Sequence, residues 1–182
     1  AERRQTLVAA AAEAFHHGLI TPWFQPVHDL VTGERAGYEA LARWVRADGT
    51  VVEPAHFLPL VESTPLMREL DAAMLHRSLE VLAGLPGDQF VSVNVSSLSL
   101  ADPAYVDRLL AAIETAPVEA SRLHLEVTET ALLDVSGPIV EGMRRIAATG
   151  ARWHVDDFGT GFSSISHLRD LDRKSTRLNS SH

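Results

Sequence analysis

The stretch Phe90-Val91-Ser92-Val93-Asn94-Val95-Ser96 alternates strictly. The valines at 91, 93 and 95 share one face of an extended chain, and Ser92, Asn94 and Ser96 share the other. Two later stretches repeat the pattern. In Leu123–Glu129, Leu123, Leu125 and Val127 oppose His124, Glu126 and Thr128; in Trp153–Asp157, Trp153 and Val155 oppose His154 and Asp156. Each stretch therefore sets an oxygen-bearing side chain near its carboxyl end, on the face opposite its apolar one. A barrel with helices outside accounts for all three, because the apolar faces meet the helices and the polar groups line the mouth. An antiparallel sheet with one wet face would alternate in the same way but would not explain the helical patterns between the strands. An open doubly wound sheet is the remaining alternative.

On either side of these stretches the patterns are simpler. Gln5 to His17 is alanine-rich and reads as a helix ended by Gly18. Trp23–Leu30 and Arg35–Trp44 read as strands joined by a turn at Thr32-Gly33. A helical stretch begins at Pro54, breaks near Pro65 and runs to about Leu82. Asp102-Pro103, a cap followed by a first-turn proline, opens a helix to about Ala116. Pro138–Thr149 reads as a helix, Arg152–Phe158 as a strand, and Gly159-Thr160-Gly161 as a loop before a helix from Ser163. After the opening pair, strands and helices alternate, which favours a parallel sheet flanked by helices.

The length of 182 residues suits one domain, and 46% hydrophobic residues suffice for a core. No apolar run reaches the ~18 residues that a membrane span needs, and no basic-then-apolar leader opens the chain, so the expected location is cytoplasmic. The absence of cysteine excludes disulfides, a thiol nucleophile and thiolate zinc sites. A net charge of −8 argues against binding a nucleic-acid polymer. Residues 1–172 hold thirteen arginines against twenty-four acids, whereas Arg173–His182 is basic, contains the one lysine, Lys174, and shows no hydrophobic period. The expected organisation is a domain over 1–172 followed by a non-native or disordered tail over 173–182.

Glu39, Asn94, Glu126, Asp156 and Asp157 each fall at or near a strand end. Oxygen donors without cysteine suit hard divalent cations such as magnesium or manganese. Four carboxylates in one mouth repel unless cations or protons neutralise them. Two ions about 3.5–4 Å apart are a recurrent device for hydrolysing phosphodiesters. By themselves, acids at loop starts are equally helix caps or solvated rim groups.

Tyr38-Glu39-Ala40-Leu41-Ala42-Arg43-Trp44 resembles the signature of the EAL domain family, phosphodiesterases that hydrolyse the bacterial messenger cyclic di-GMP. Four further segments match that family in order. They are Phe24-Gln25-Pro26-Val27, Val93-Asn94-Val95-Ser96, Leu125-Glu126-Val127-Thr128-Glu129-Thr130, and Asp156-Asp157-Phe158-Gly159-Thr160-Gly161-Phe162-Ser163-Ser164. The resemblance implies an α/β fold, a TIM-type (β/α)8 barrel whose first strand runs antiparallel to the rest. It implies two divalent cations, Mg2+ or Mn2+, held by Glu39, Asn94, Glu126, Asp156 and Asp157. Of these, Glu39, Asp156 and Asp157 would act catalytically through the metal. Arg43 would hold a substrate phosphate with its planar fork of donors, while Gln25 and the backbone near Leu41 would contact the nucleotide. Glu129 would anchor the loop Phe158–Ser164, which is implied in homodimer contacts.

The implied activity is metal-dependent hydrolysis of cyclic di-GMP to the linear dinucleotide pGpG, in a chain linked to other signalling domains. Family members continue with a Lys-Ile-Asp strand, whose lysine helps orient the attacking water, and then a further ligand glutamate and a substrate glutamine. None of these is present, and the pattern stops near Leu171. A TIM barrel usually needs ~250 residues, so about five of eight strands are expected. The alternative function is accordingly a non-catalytic cyclic di-GMP-binding or protein-interaction module. Several residues also carry plainer expectations: His124 and His154 as hydrogen-bonded interior groups, His16-His17 as a solvated helix end, and Trp23, Trp44 and Trp153 as core. Gly159-Thr160-Gly161 lacks dinucleotide-loop spacing.

Overall fold

The computed structural model describes residues 2–128 and 137–156. The chain opens with helix α1 (Glu2–His16), driven by its run of alanines, the strongest helix formers. Strands β1 (Ile20–His28) and β2 (Arg35–Val45) then form an antiparallel hairpin in which Gln25 stands opposite Glu39 and Trp23 opposite Leu41. At its tip, Asp29 Oδ1 accepts the backbone N–H groups of Val31 and Thr32, each at 2.8 Å, and Gly33 takes φ +73°. That self-bonding aspartate and the left-handed glycine are what a tight reversal requires.

Strand β3 (Val51–Val52) is a two-residue addition to β2 that the sequence pattern does not announce. Helices α2 (Pro54–Val61) and α3 (Leu66–Gly84) follow, separated around Pro65 as expected. Strand β4 (Phe90–Asn94) leads into a short helix, α4 (Ser97–Leu100), and then α5 (Pro103–Thr115). Asp102 Oδ1 caps α5 by accepting from Ala104 N at 3.0 Å. Strand β5 (Leu123–Thr128), helix α6 (Gly137–Ala147) and strand β6 (Arg152–Asp156) complete the described chain. The expected strand residues Asp157 and Phe158, the helix from Ser163 and the tail over 173–182 lie outside the described residues.

The sheet order is β1-β2-β4-β5-β6, with β3 paired to β2. Every pair after the hairpin along that path is parallel. Each main strand neighbours its predecessor, without the reversal that defines a doubly wound sheet. The described strands therefore form one continuous arc, the order of a barrel wall. Helices cover one side of it. Val91, Val93, Leu123, Leu125 and Val127 are buried there with Tyr105, Leu109, Met143 and Ile146. In α6, Ile139, Met143 and Ile146 recur at helical spacing and give the helix its buried stripe.

Two tethers join the helix layer to the strands. The Arg122 guanidinium donates to the carbonyls of Gln89 (2.8 Å), Leu85 (3.1 Å) and Pro86 (2.6 Å), closing the carboxyl end of α3 and the turn into β4. Trp153 Nε1 donates to Met143 O at 3.1 Å, pinning α6 against β6. Trp44 is buried and meets Phe57 edge-on. Trp23 is not core: 49% of it is exposed, because its register places it on the sheet face away from the helices. His16 and His17 are exposed at the end of α1, each with Nδ1 against a carbonyl four residues back, as expected of a solvated helix end. Among the described residues, no helix is long and apolar enough to cross a membrane.

Gly37 pairs with both Val27 and Phe90, and a Cβ there would lie 2.4 Å from the Phe90 carbonyl oxygen and 2.7 Å from its ring. Backbone cannot yield as a side-chain tip can. Gly37→Ala is expected to destabilise the chain by about 1–3 kcal/mol, read as a lower midpoint in urea unfolding; an unchanged midpoint would show that β2 and β4 separate freely.

Candidate functional site

The parallel registers decide which side chains share the open face. Glu39 pairs with Ser92, Ser92 with His124, Asn94 with Glu126, Glu126 with His154, and Thr128 with Asp156. Since side chains alternate along a strand, Gln25, Glu39, Leu41, Arg43, Asn94 and Glu126 all belong to the face opposite the helices. Asp156 stands at the end of β6, at a register position of that same face. Asp157, Glu129 and the loop Phe158–Ser164 lie outside the described residues.

Most of the described candidates divide between two hollows. Glu39 and Glu126 line a cavity of about 290 Å3 with Val27, Phe90, Ser92, His124 and His154. Asn94, Leu41 and Thr128 line a larger cleft of about 850 Å3, whose far wall comes from α2 and α3 through Leu58, Met67, Leu70, Asp71 and Met74. Arg43 is mostly enclosed. Its Nε lies 3.3 Å from Glu53 Oε2 beside the start of α2, and a terminal nitrogen donates to Ala42 O at 3.0 Å.

The floor of the smaller cavity is a ladder of rings on three neighbouring strands. Phe90 and His124 stack with centroids 4.1 Å apart and 12° between planes, and His124 meets His154 at 4.6 Å. His124 is 8% exposed, whereas His154 is exposed rather than interior as expected. Burial, then the neighbouring His154 and Arg152 charges, lower His124 from its usual 6.5 to about 4. The ring is neutral at physiological pH and serves as packing.

Sequence reasoning missed Asp71. It is 3% exposed on α3, and its Oδ2 accepts Ser96 N–H (3.0 Å), Ser96 Oγ (2.6 Å) and Ser99 Oγ (2.6 Å). Burial holds its carboxyl above the usual carboxylate range, and the two serines act against that rise. The available signal was an acid among Leu70, Met74 and Leu75, within the apolar stripe of a helix.

The described donors Glu39, Asn94 and Glu126 offer only oxygen, which fits a hard divalent cation. Among the described residues, no group of three or more His, Asp or Glu side chains gathers to hold an ion.

The described strands, parallel after the opening hairpin and backed by helices, follow the order of a barrel wall and carry Glu39 and Glu126 on the open face. The chain belongs to the EAL domain family, whose profile matches residues 8–181. It is 34% identical over 161 residues to a cyclic di-GMP phosphodiesterase of Pseudomonas aeruginosa, covering 87% of this chain and 27% of that protein. It is 33% identical over 162 residues to the probable cyclic di-GMP phosphodiesterase PdeG of Escherichia coli, covering 87% and 32%. Among solved structures, that of the PaMucR phosphodiesterase in complex with c-di-GMP superposes with a TM-score of 0.80 at 30% identity, over 90% of this chain and 68% of that one. The chain spans about a fifth to a third of the length of these and other matched curated relatives.

The His124 shift has a signed consequence. Between pH 6.5 and about 4, the unfolded imidazole is protonated while the folded one is not. The unfolded chain then binds more protons, so stability falls as the pH drops through that window and is intact above it. The loss is on the order of 2 kcal/mol. Thermal melts from pH 7 to 4.5 are expected to show a shallower decline in His124→Phe, which keeps the stack, than in the wild type; parallel declines would count against this cause.

Proposed function

We propose that this chain is the carboxylate-bearing part of a metal-dependent phosphodiesterase that hydrolyses cyclic di-GMP to linear pGpG. The observation that carries the reading is the register: Glu39, Asn94 and Glu126 sit on adjacent strands of one open face, with Gln25 directly across from Glu39. The family and its similarity to phosphodiesterases, one of them in complex with c-di-GMP, support the substrate.

In this reading, the carboxylates of Glu39 and Glu126 and the amide oxygen of Asn94 hold two Mg2+ or Mn2+ ions, with Asp156 and Asp157 as further ligands. When bound, such ions supply an activated water and charge compensation for the leaving oxygen. The oxygen of water bonds to phosphorus as one P–O ester bond breaks, and the departing alkoxide takes the proton. Arg43 orients a phosphate with its forked donors, exchanging its contact with Glu53 for the substrate. Gln25 and the backbone at Leu41 position the nucleotide. Glu129 anchors the Phe158–Ser164 loop, which supplies homodimer contacts. Further signalling domains and a cytoplasmic setting accompany this role.

The test measures binding and turnover separately, with cyclic di-GMP and Mn2+ or Mg2+. In the domain completed with its carboxyl-terminal strands, turnover is expected to stop with chelator and in Glu39→Ala, at least ~100-fold below wild type. Wild-type turnover in Glu39→Ala would overturn the ligand assignment. Arg43→Ala is expected to raise KM about tenfold while leaving Mn2+ affinity unchanged; an equal loss of substrate and Mn2+ affinity would make Arg43 structural. Binding of cyclic di-GMP with no turnover would instead assign the non-catalytic receptor role.

A further inference from the structure

We infer that Asp71 is a positioning residue for the Asn94–Glu126 pair, acting from the helix layer through the turn that follows β4. The inference rests on the phosphodiesterase reading for its functional meaning but on geometry for its existence. Asn94 ends β4, and only Val95 separates it from Ser96. On one side, Val95 N–H donates to the Glu126 carbonyl at 2.9 Å, extending the β4–β5 ladder beyond the last strand residue. On the other, Asp71 Oδ2 receives both the backbone N–H and the hydroxyl of Ser96. The turn is thus held between the backbone of one candidate ligand and a carboxylate projecting from α3.

The clamp also organises what comes next. Ser96 caps α4 by accepting from Ser99 N at 3.2 Å, and the Ser99 hydroxyl reaches the same Asp71 oxygen at 2.6 Å. One buried oxygen therefore collects three donors from a single turn. Removing it takes the acceptor from all three donors, the Ser99 hydroxyl being buried, and an unmet buried donor costs more than its bond contributes. Capping alone does not account for this arrangement, since the Ser96 side chain already caps the four-residue α4. The shared acceptor serves instead to fix the direction in which β4 leaves the sheet, and with it the orientation of Asn94 relative to Glu126.

The experiment compares the wild type with Asp71→Ala, Asp71→Asn and Ser96→Ala in the whole chain, using Mn2+ alone as the probe. Mn2+ affinity by titration and the side-chain amide signal of Asn94 by NMR, assigned by its loss in Asn94→Asp, are read well below the thermal midpoint, which is measured separately. Asp71→Ala is expected to weaken Mn2+ binding about 10-fold and to broaden or split the Asn94 amide signal. Asp71→Asn, which keeps an acceptor, is expected to recover most of both. If Asp71→Ala does not fold, Ser96→Ala is expected to show the same changes to a smaller degree. A folded Asp71→Ala or Ser96→Ala with Mn2+ affinity within about twofold of wild type and an unchanged Asn94 signal overturns the inference. If the wild type itself binds no Mn2+, the phosphodiesterase reading fails on its own, and the Asn94 signal alone decides the role of Asp71.

Discussion

Core and candidate site both hang on the register of β4 against its parallel neighbours. Val91 opposite Leu123 and Val93 opposite Leu125 set an apolar surface under the helices, and the same pairing sets Asn94 beside Glu126 on the other face. Because the side-chain period of a strand is two, a slip of one residue would send the valines to water and the polar groups into the helix layer. The two faces are consequently products of one alignment. Neither can shift without the other.

Several features reinforce that alignment from different directions. Gly37 lets β2 and β4 approach at their lower ends, where Phe90 begins the ring ladder across to His124 and His154. At the upper ends, the hydrogen bond from Val95 to Glu126 and the Asp71–Ser96 contact hold the turn beyond β4. Arg122 and Trp153 fasten the helices behind. Apolar packing is generous on the covered side, whereas the open side relies on ring stacking and a few placed polar contacts. This asymmetry is what a binding face on a rigid scaffold requires.

The fold was legible where periodicity was strong. The strands over Phe90–Asn94 and Leu123–Thr128, the cap-and-proline start of α5 and the opening hairpin follow from local pattern and turn chemistry. Trp23 departs from its expected burial because the register of β1 aligns it with Leu41 on the open face, whatever the size of its ring suggests. His154 departs for a related reason, since its strand face is open rather than enclosed. Strand β3 is two residues long and carries no period to detect. Asp71 lay hidden because its partners, Ser96 and Ser99, are distant in sequence and meet it only when α3 packs across the end of β4.

Local pattern alone was enough to assign the class of element at most stretches, the face on which each strand residue stands, and membership of the EAL domain family, because alternation and ordered motifs are properties of the chain before it folds. Packing settled the rest. Strand order distinguished an arc from a doubly wound sheet. The folded arrangement divided the candidate groups between a carboxylate cavity and a methionine-walled cleft, and it lowered the affinity of His124 for a proton by burying its ring between neighbours. Those outcomes depend on distances between residues far apart in sequence, and such distances exist only after the helices have packed and the registers have closed.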